Sequence, residues 1–159
     1  MDQGQFVVET RRKLHQLAEV SLEEHRTTQA IMSYLEEWGI QYVRPLDTGV
    51  LAYIKGDSDS DSFIAFRTDI DALPIQEKQD HDFQSKTPGV MHACGHDGHM
   101  TALLLFAKRL NDRYQAGDLS ANVLFIFQPA EESYGGGNLL IESCLLYTSD
   151  AADDMQCVD

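Results

Sequence analysis

The first forty residues space their apolar side chains at helical intervals, and this pattern predicts two amphipathic helices. In the segment 6–20 apolar residues recur at helical spacing with Arg and Lys between them, which predicts the first helix. Ser21 and Glu24 have the spacing of a capping box, so we expect a second helix to follow, ending at Gly39. Its predicted buried face consists of Ala30, Ile31, Tyr34, Leu35 and Trp38.

Beyond this point the apolar residues cluster in the short runs that are typical of β-strands. Two runs, at 50–54 and 63–66, flank the polar segment 56–62, an arrangement that predicts an antiparallel hairpin. The run at 123–127 is continuously apolar, as in strands buried inside α/β sheets. Between these strands, the apolar segment 100–110 predicts a mostly buried helix. Alternating helices and strands, with polar residues at strand ends, indicate an α/β layered fold.

Composition and charge narrow the class of protein. The chain has 159 residues and a formal net charge of −14, which argues against a nucleic-acid surface because such a surface needs clustered Lys and Arg. No apolar run of 18 residues or more is present, so we expect no membrane span. The N-terminus lacks a basic segment followed by an apolar stretch, and we therefore expect no secretory signal and a cytoplasmic location. Three cysteines are too few for a disulfide framework.

Candidate metal ligands concentrate in the nine residues 91–99. Cys94 and His96 are separated by one glycine, and thiolate and imidazole are good ligands for Zn²⁺ and similar ions. The same segment contains His92, Asp97 and His99. A solvated loop is the simplest alternative, and a structural zinc site is disfavoured because no C-x-x-C pair is present. A third alternative, that Cys94 is a nucleophile activated by a neighbouring histidine, stays open.

Two acidic segments follow predicted strands. Glu131 and Glu132 come directly after the buried strand at 123–127, where α/β enzymes place catalytic groups. Neighbouring side chains on an extended backbone point in opposite directions, so one carboxylate can bind a metal while the other acts as a general base. Asp69, near the end of an earlier strand, could orient a metal-bound histidine or simply pair with Arg67; the sequence pattern alone does not separate these two roles.

Taken together, three motifs resemble the M20 peptidase family, and most closely its amidohydrolase branch. They are the segments 67–74, 91–99 and 127–132. The branch includes N-acyl-amino-acid deacylases, hippurate hydrolases, N-acetyldiaminopimelate deacetylases and auxin-conjugate hydrolases. The resemblance extends over about residues 5–143, and it implies part of the α/β catalytic domain of a di-metal aminopeptidase-like hydrolase, with a mixed sheet flanked by helices.

The resemblance also implies roles for individual residues. Cys94, His96 and Glu132 would be metal ligands in a centre of two divalent ions, zinc or manganese, with the thiolate as a possible bridge. Glu131 would be the general base, and Asp69 would match the acid that orients a ligand. Asp97 and His99 belong to the motif as supporting residues. The implied substrate is an N-acyl amino acid whose amide bond is hydrolysed.

This sequence departs from the family pattern in two respects. Ala18 stands where members usually have proline, at a position outside the chemistry. Family members also take further histidine ligands and a smaller domain, which supports dimerisation, from later sequence. Residues 1–143 therefore correspond to a truncated catalytic domain, which we expect to be inactive alone. The segment 144–159 contains four acids and no base, and we interpret it as a non-native or disordered tail; a full-length form would be a homo-oligomer.

Overall fold

The predicted α/β fold class is confirmed by a computed structural model that describes residues 2–57 and 59–143. The predicted tail at 144–159 lies outside the described residues and stays a prediction. In the described ranges a mixed four-stranded sheet is flanked by helices. The elements are α1 (Gln3–Leu17), α2 (His25–Trp38), β1 (Gln41–Val43), β2 (Val50–Ile54), β3 (Phe63–Asp69), α3 (His96–Gln115), β4 (Asn122–Gln128) and α4 (Gly136–Glu142).

The order of the strands corrects the predicted hairpin. The sheet runs β1-β2-β4-β3, so β4 lies between the two strands that were expected to pair. Strand β4 pairs antiparallel with β2 and parallel with β3. Its continuous apolar sequence favours a central position with both faces covered. The polar connection after β2 instead passes the start of β4, where the Asp57 amide donates to the Leu119 carbonyl at 3.1 Å.

Strand β3 ends the sheet among the described residues. It continues to Asp69, three residues further than the apolar run 63–66 predicts, and α3 forms the crossover to its parallel partner β4. Two of its apolar side chains are exposed, Ile64 by 56% and Phe66 by 37%. The outer backbone groups of β3 are thus left without a neighbouring strand in the part of the chain that the structure describes.

Apolar side chains cover both faces of the sheet. The larger cluster joins α1, α2 and α3 to one face and includes Leu14, Ile31, Leu104, Phe125 and Phe127. On the other face Leu140 of α4 packs with Leu51 and Ile126. No helix within the described residues is both long and apolar enough to cross a membrane.

The start of α2 corrects the predicted capping box. Helix α2 begins at His25, and its N-cap Glu24 makes no side-chain capping hydrogen bond. The carboxylate of Glu19 accepts instead from the backbone amides of Arg26, at 3.2 Å, and Thr27, at 2.9 Å. A carboxylate at a helix N-terminus satisfies amides that have no partner within the helix. The bend that brings Glu19 back onto the helix is not visible in local sequence spacing.

Glycines mark the end of α2 and the start of α3, and only the first of these two boundaries lies where the sequence predicted it. Gly39 adopts a left-handed conformation, with φ of 69°, at the end of α2, and this prediction is confirmed. Helix α3 begins at His96 rather than near residue 100, because Gly95, with φ of 84°, forms its N-cap. Gly98 therefore lies inside the helix, and the Cys94–His96 pair lies at the helix N-terminus.

Replacing Glu19 with alanine should lower the free energy of unfolding by about 2 kcal/mol, because two helix amides lose their acceptor. Urea denaturation followed by circular dichroism measures the change. The matched control is Glu23→Ala on the same connection, whose side chain is 71% exposed and whose loss should cost less than about 0.5 kcal/mol. Equal denaturation midpoints for the two variants would contradict the capping role.

Candidate metal centre

The candidate site lies where the carboxyl ends of β3 and β4 meet the start of α3. Because β3 and β4 are parallel, with Asp69 opposite Gln128, the residues that follow each strand emerge at the same edge of the sheet. That edge is where open α/β sheets bind their ligands. The first turn of α3 contributes His96 to the same place.

The predicted ligands and the predicted base come together at this edge. His96, Glu131 and Glu132 each offer a ligand atom, and these atoms lie within 4.8 Å of one another. The Nε2 atom of His96 lies 4.0 Å from Oε1 of Glu132. The exposed Cys94 thiol lies beside Glu132, whose carboxylate raises the pKa of the thiol. His96, Glu131 and Glu132 thus form one cluster, and Cys94, whose Sγ is not among these clustered ligand atoms, lies beside it and interacts with Glu132.

The loop that carries the two glutamates is held by close packing. Ala130 adopts a left-handed conformation with φ of 56°, and its amide donates to the buried Glu24 carboxylate at 2.8 Å. Gly136 packs so closely that an added Cβ would lie 1.7 Å from the Pro129 carbonyl oxygen. Burial raises the pKa of Glu24 despite this hydrogen bond. Glu24, which the sequence suggested as a capping residue, therefore positions the loop of the site.

Asp71 connects the parts of the site and was not singled out from the sequence. It is fully buried, and its Oδ2 accepts from the Ser21 hydroxyl at 2.7 Å and from the Glu132 amide at 2.9 Å. The Nδ1 atom of His96 lies 2.9 Å from the Asp71 carbonyl oxygen and 3.4 Å from its Oδ1. Asp71 thereby orients the imidazole and leaves Nε2 directed toward Glu132.

Asp69 has different neighbours. Its Oδ1 lies 3.3 Å from the Arg67 Nε atom, so the contact with arginine that the sequence allowed is present. The contact with His96 that was expected of this acid is made by Asp71 two residues later. Asp69 does lie close enough to help raise the pKa of His96. Its catalytic role stays a prediction. The signal for Asp71 was available as the second acid of the segment 67–74.

The electrostatics of the site follow from these contacts. The hydrogen bond with Asp71 raises the pKa of His96 to about 9, although burial acts in the opposite direction. Burial would raise the pKa of Asp71, but hydrogen bonds from His96, Glu132 and Ser21 outweigh it and hold the pKa below its usual value. The Glu132 carboxylate, together with nearby acids, raises the pKa of the Cys94 thiol.

The donor set fits a divalent cation. Three buried carboxylate oxygens at this edge accept no hydrogen bond of normal geometry among the described residues: Asp69 Oδ1, Asp71 Oδ1 and Glu132 Oε1. The first two have only longer ion-pair contacts, with Arg67 at 3.3 Å and His96 at 3.4 Å. Buried acceptors without donors are costly, and a positive ion next to a thiol and an imidazole would relieve that cost. Ligating histidines commonly bind through one nitrogen while a carboxylate or carbonyl holds the other, which is the arrangement of His96 between Glu132 and Asp71.

The remaining motif residues lie on the other side of the α3 start. Asp97 is buried and accepts from Nδ1 of His15 at 2.7 Å and from Nε of Arg11 at 2.8 Å. His99 is exposed, and its ring centroid lies 6.0 Å from that of His96. Asp97 therefore secures α1 to α3.

These features describe an α/β fold with a cluster of candidate metal ligands at one edge of its sheet, and comparison with known proteins gives the family. The model for peptidase family M20/M25/M40 matches residues 65–158, and the chain belongs to this family. It is 43% identical to a Bacillus subtilis protein described as a dinuclear metal binding peptidase from the M20 family. The two structures superpose with a TM-score of 0.84 over 92% of this chain and 41% of that one.

Relatives in staphylococci carry only a general description. An uncharacterized hydrolase of Staphylococcus haemolyticus is 56% identical over 143 residues, which is 90% of this chain and 37% of the relative. An uncharacterized hydrolase of Staphylococcus epidermidis is 57% identical over the same shares of both chains. The chain thus spans little more than a third of the length of these relatives, and the match to an N-terminal part of an M20 hydrolase is confirmed.

Replacing Asp71 with asparagine should lower the pKa of His96 from about 9 toward 6.5, because the largest contribution to the raised value is lost. Because the folded-state pKa of His96 is raised, the stability it contributes is present below about pH 6.5 and is lost as pH rises through about 9. NMR titration of the histidine ring protons in the metal-free chain measures the shift. Asp69→Asn is the matched control and should move the pKa less; a larger shift in that variant would assign the orienting role to Asp69.

Proposed function

We propose that the complete protein hydrolyses the amide bond of N-acyl amino acids, using two divalent ions, zinc or manganese, held in part by Cys94, His96 and Glu132. The observation that carries this proposal is the convergence of His96, Glu131 and Glu132, with Cys94 beside Glu132, next to buried carboxylate oxygens that accept no hydrogen bond of normal geometry among the described residues. Because the chain spans 37% of its relatives' length, we infer that the remaining ligands come from outside it and that this chain alone is inactive.

The residues divide the chemistry between them. Bound divalent ions would polarise the amide carbonyl and make water a better nucleophile near neutral pH. Glu132 is half-buried among the ligands, whereas Glu131 is exposed and its carboxylate still belongs to the same cluster. Glu131 would accept a proton from the attacking water and donate it to the amine as the C–N bond breaks.

The substrate class rests on the motifs of the amidohydrolase branch and on the peptidase description of the M20 relative, since both chemistries cleave an amide. The exposed position of Glu131 fits a small substrate that approaches the edge of the sheet from solvent. We also propose a cytoplasmic location and a homo-oligomeric full-length form, in keeping with the family resemblance.

A cysteine hydrolase that uses Cys94 is the first alternative. Reactive cysteines have a lowered pKa and lie beside positive groups. Here the Glu132 carboxylate beside the thiol raises the pKa of Cys94. The surroundings of Cys94 therefore suit a ligand whose thiolate forms when a cation binds better than a nucleophile.

A non-catalytic metal-binding module is the second alternative. In a structural site, protein ligands fill every coordination position. An exposed carboxylate next to those ligands would then have no function. The exposure of Glu131 beside the buried His96 and the half-buried Glu132 favours a catalytic centre.

In the complete protein, Glu131→Gln should reduce kcat for an N-acetyl amino acid by about 100-fold or more, the range that general-base catalysis contributes. Amine release gives the rate, and mass spectrometry should show unchanged metal content. Glu37→Gln, at an exposed site on α2, is the control and should keep full activity. Unchanged turnover in Glu131→Gln would support the binding-module alternative, and robust turnover by the 159-residue chain alone would contradict our assignment of missing ligands.

Treatment of the complete protein with EDTA should abolish activity, and Zn²⁺ or Mn²⁺ should restore it, whereas a thiol enzyme would keep its activity.

In the 159-residue chain, Cys94→Ser should weaken zinc binding by about ten-fold or more. Zinc must displace the proton from His96, whose pKa is about 9, so affinity in a calorimetric titration should rise from pH 7 to pH 9. A pH-independent affinity would argue against His96 as a ligand.

A further inference from the structure

A second cluster of metal-ligating side chains lies away from Cys94, between α1 and the loop that precedes α3. Its members are His15, Glu77 and His81, whose ligand atoms all lie within 4.8 Å of one another. The Nε2 atoms of His15 and His81 lie 3.1 Å and 2.9 Å from the same Glu77 oxygen, Oε1. The proposed hydrolysis uses none of these three residues.

The distances of the two histidine nitrogens from Glu77 Oε1 are compatible with a tetrahedral ion. Ligand atoms bound to Zn²⁺ at about 2.0–2.1 Å lie roughly 3.3 Å apart in a tetrahedral arrangement. The two distances to Glu77 are close to this value. Two imidazoles and one carboxylate are also a ligand set found in zinc sites that keep a fourth position for water.

Asp97 prepares His15 for this role. It accepts from Nδ1 of His15 at 2.7 Å, which leaves Nε2 of His15 facing Glu77 Oε1 at 3.1 Å. Either a hydrogen atom or a metal ion between these two atoms satisfies that contact. A carboxylate that holds the far nitrogen of a histidine is the usual support of a metal-bound imidazole.

His92 supplies an independent indication that the region takes a ligand. It is 4% exposed and lines the same cavity of about 430 Å³ as His15, Glu77 and His81. Its ring centroid lies 6.2 Å from that of His15. The Asp71 backbone is nearby, but neither ring nitrogen of His92 makes a hydrogen bond of normal geometry among the described residues. Water on a bound ion would offer this buried nitrogen a partner.

We propose that His15, Glu77 and His81 bind a single divalent transition-metal ion such as Zn²⁺, at a site separate from the Cys94 centre. The ion joins the loop to α1, because Glu77 and His81 lie on the loop and His15 lies on α1. The other Glu77 oxygen, Oε2, is held within the loop, where it accepts from the Ser85 amide at 2.8 Å. His81 is further held by stacking on Phe83, with ring centroids 3.9 Å apart. The site fixes the chain segment that leads into the Cys94 motif.

The test uses the 159-residue chain with Cys94→Ser and Glu132→Gln, which together disable the first centre. Zinc titrated into this background by calorimetry should occupy one site per chain. Addition of His81→Gln should weaken that binding by about ten-fold or more. His25→Gln is the matched control, because His25 is more than half exposed and lies outside the cluster, and it should leave the affinity unchanged. A background that binds no zinc, or equal affinities in the two histidine variants, would overturn the proposal.

A second measurement serves if the background variant does not fold. Cobalt(II) bound at Cys94 gives intense thiolate-to-metal charge-transfer absorption, whereas cobalt bound by nitrogen and oxygen gives only weaker visible bands. In the otherwise unchanged chain, His81→Gln should remove one equivalent of cobalt and its weaker bands while the thiolate absorption stays. If His81→Gln and His25→Gln bind the same amount of cobalt with the same spectrum, the three residues form a hydrogen-bonded network without an ion.

Discussion

The arrangement of this site depends on one buried carboxylate, that of Asp71. A fully buried carboxylate is tolerated only where donors and positive charge surround it, and Asp71 receives the Ser21 hydroxyl, the Glu132 amide and the His96 imidazole. These donors come from three parts of the chain that are distant in sequence. The need to satisfy Asp71 therefore sets the distance between His96 and Glu132, and with it the space for a cation.

The acidic character of the edge couples the arrival of a cation to the chemistry of Cys94. Without positive charge, Glu132 and its neighbours raise the pKa of the thiol and Asp71 raises that of His96, so both ligands keep their protons. The same carboxylates attract a divalent ion, which in turn favours the thiolate and the neutral imidazole. In the proposed centre, metal binding and deprotonation of these two side chains would therefore be coupled, and metal affinity would depend on pH.

The sequence predicted those features of the site that depend on residues close together in the chain. Cys94 and His96 lie within three residues, and Glu131 and Glu132 are adjacent, so their shared site could be predicted once the strand ends were placed. Asp71 could not be distinguished from Asp69, because only the path of the chain after β3 decides which carboxylate turns inward. The prediction of a hairpin was wrong for a similar reason. Strand β4 inserts between β2 and β3, a long-range arrangement that buries an apolar strand. Glu24, predicted as part of a capping box, instead accepts from the Ala130 amide, and Glu19, which the sequence pattern had not indicated, accepts from the Thr27 amide of α2.

The exposed edge of β3 has a practical consequence for handling the chain. Within residues 2–57 and 59–143 no strand pairs with the outer edge of β3, and these backbone groups, beside the exposed Ile64 and Phe66, offer a template on which another extended segment can add. Phe66 is only partly shielded by Phe106, whose ring centroid lies 4.8 Å away. Self-association in solution therefore depends on the balance between attraction at this β3 edge and the electrostatic repulsion between chains that each carry a net charge of −14. High ionic strength weakens the repulsion, so dilute, low-salt solutions should keep the molecules apart.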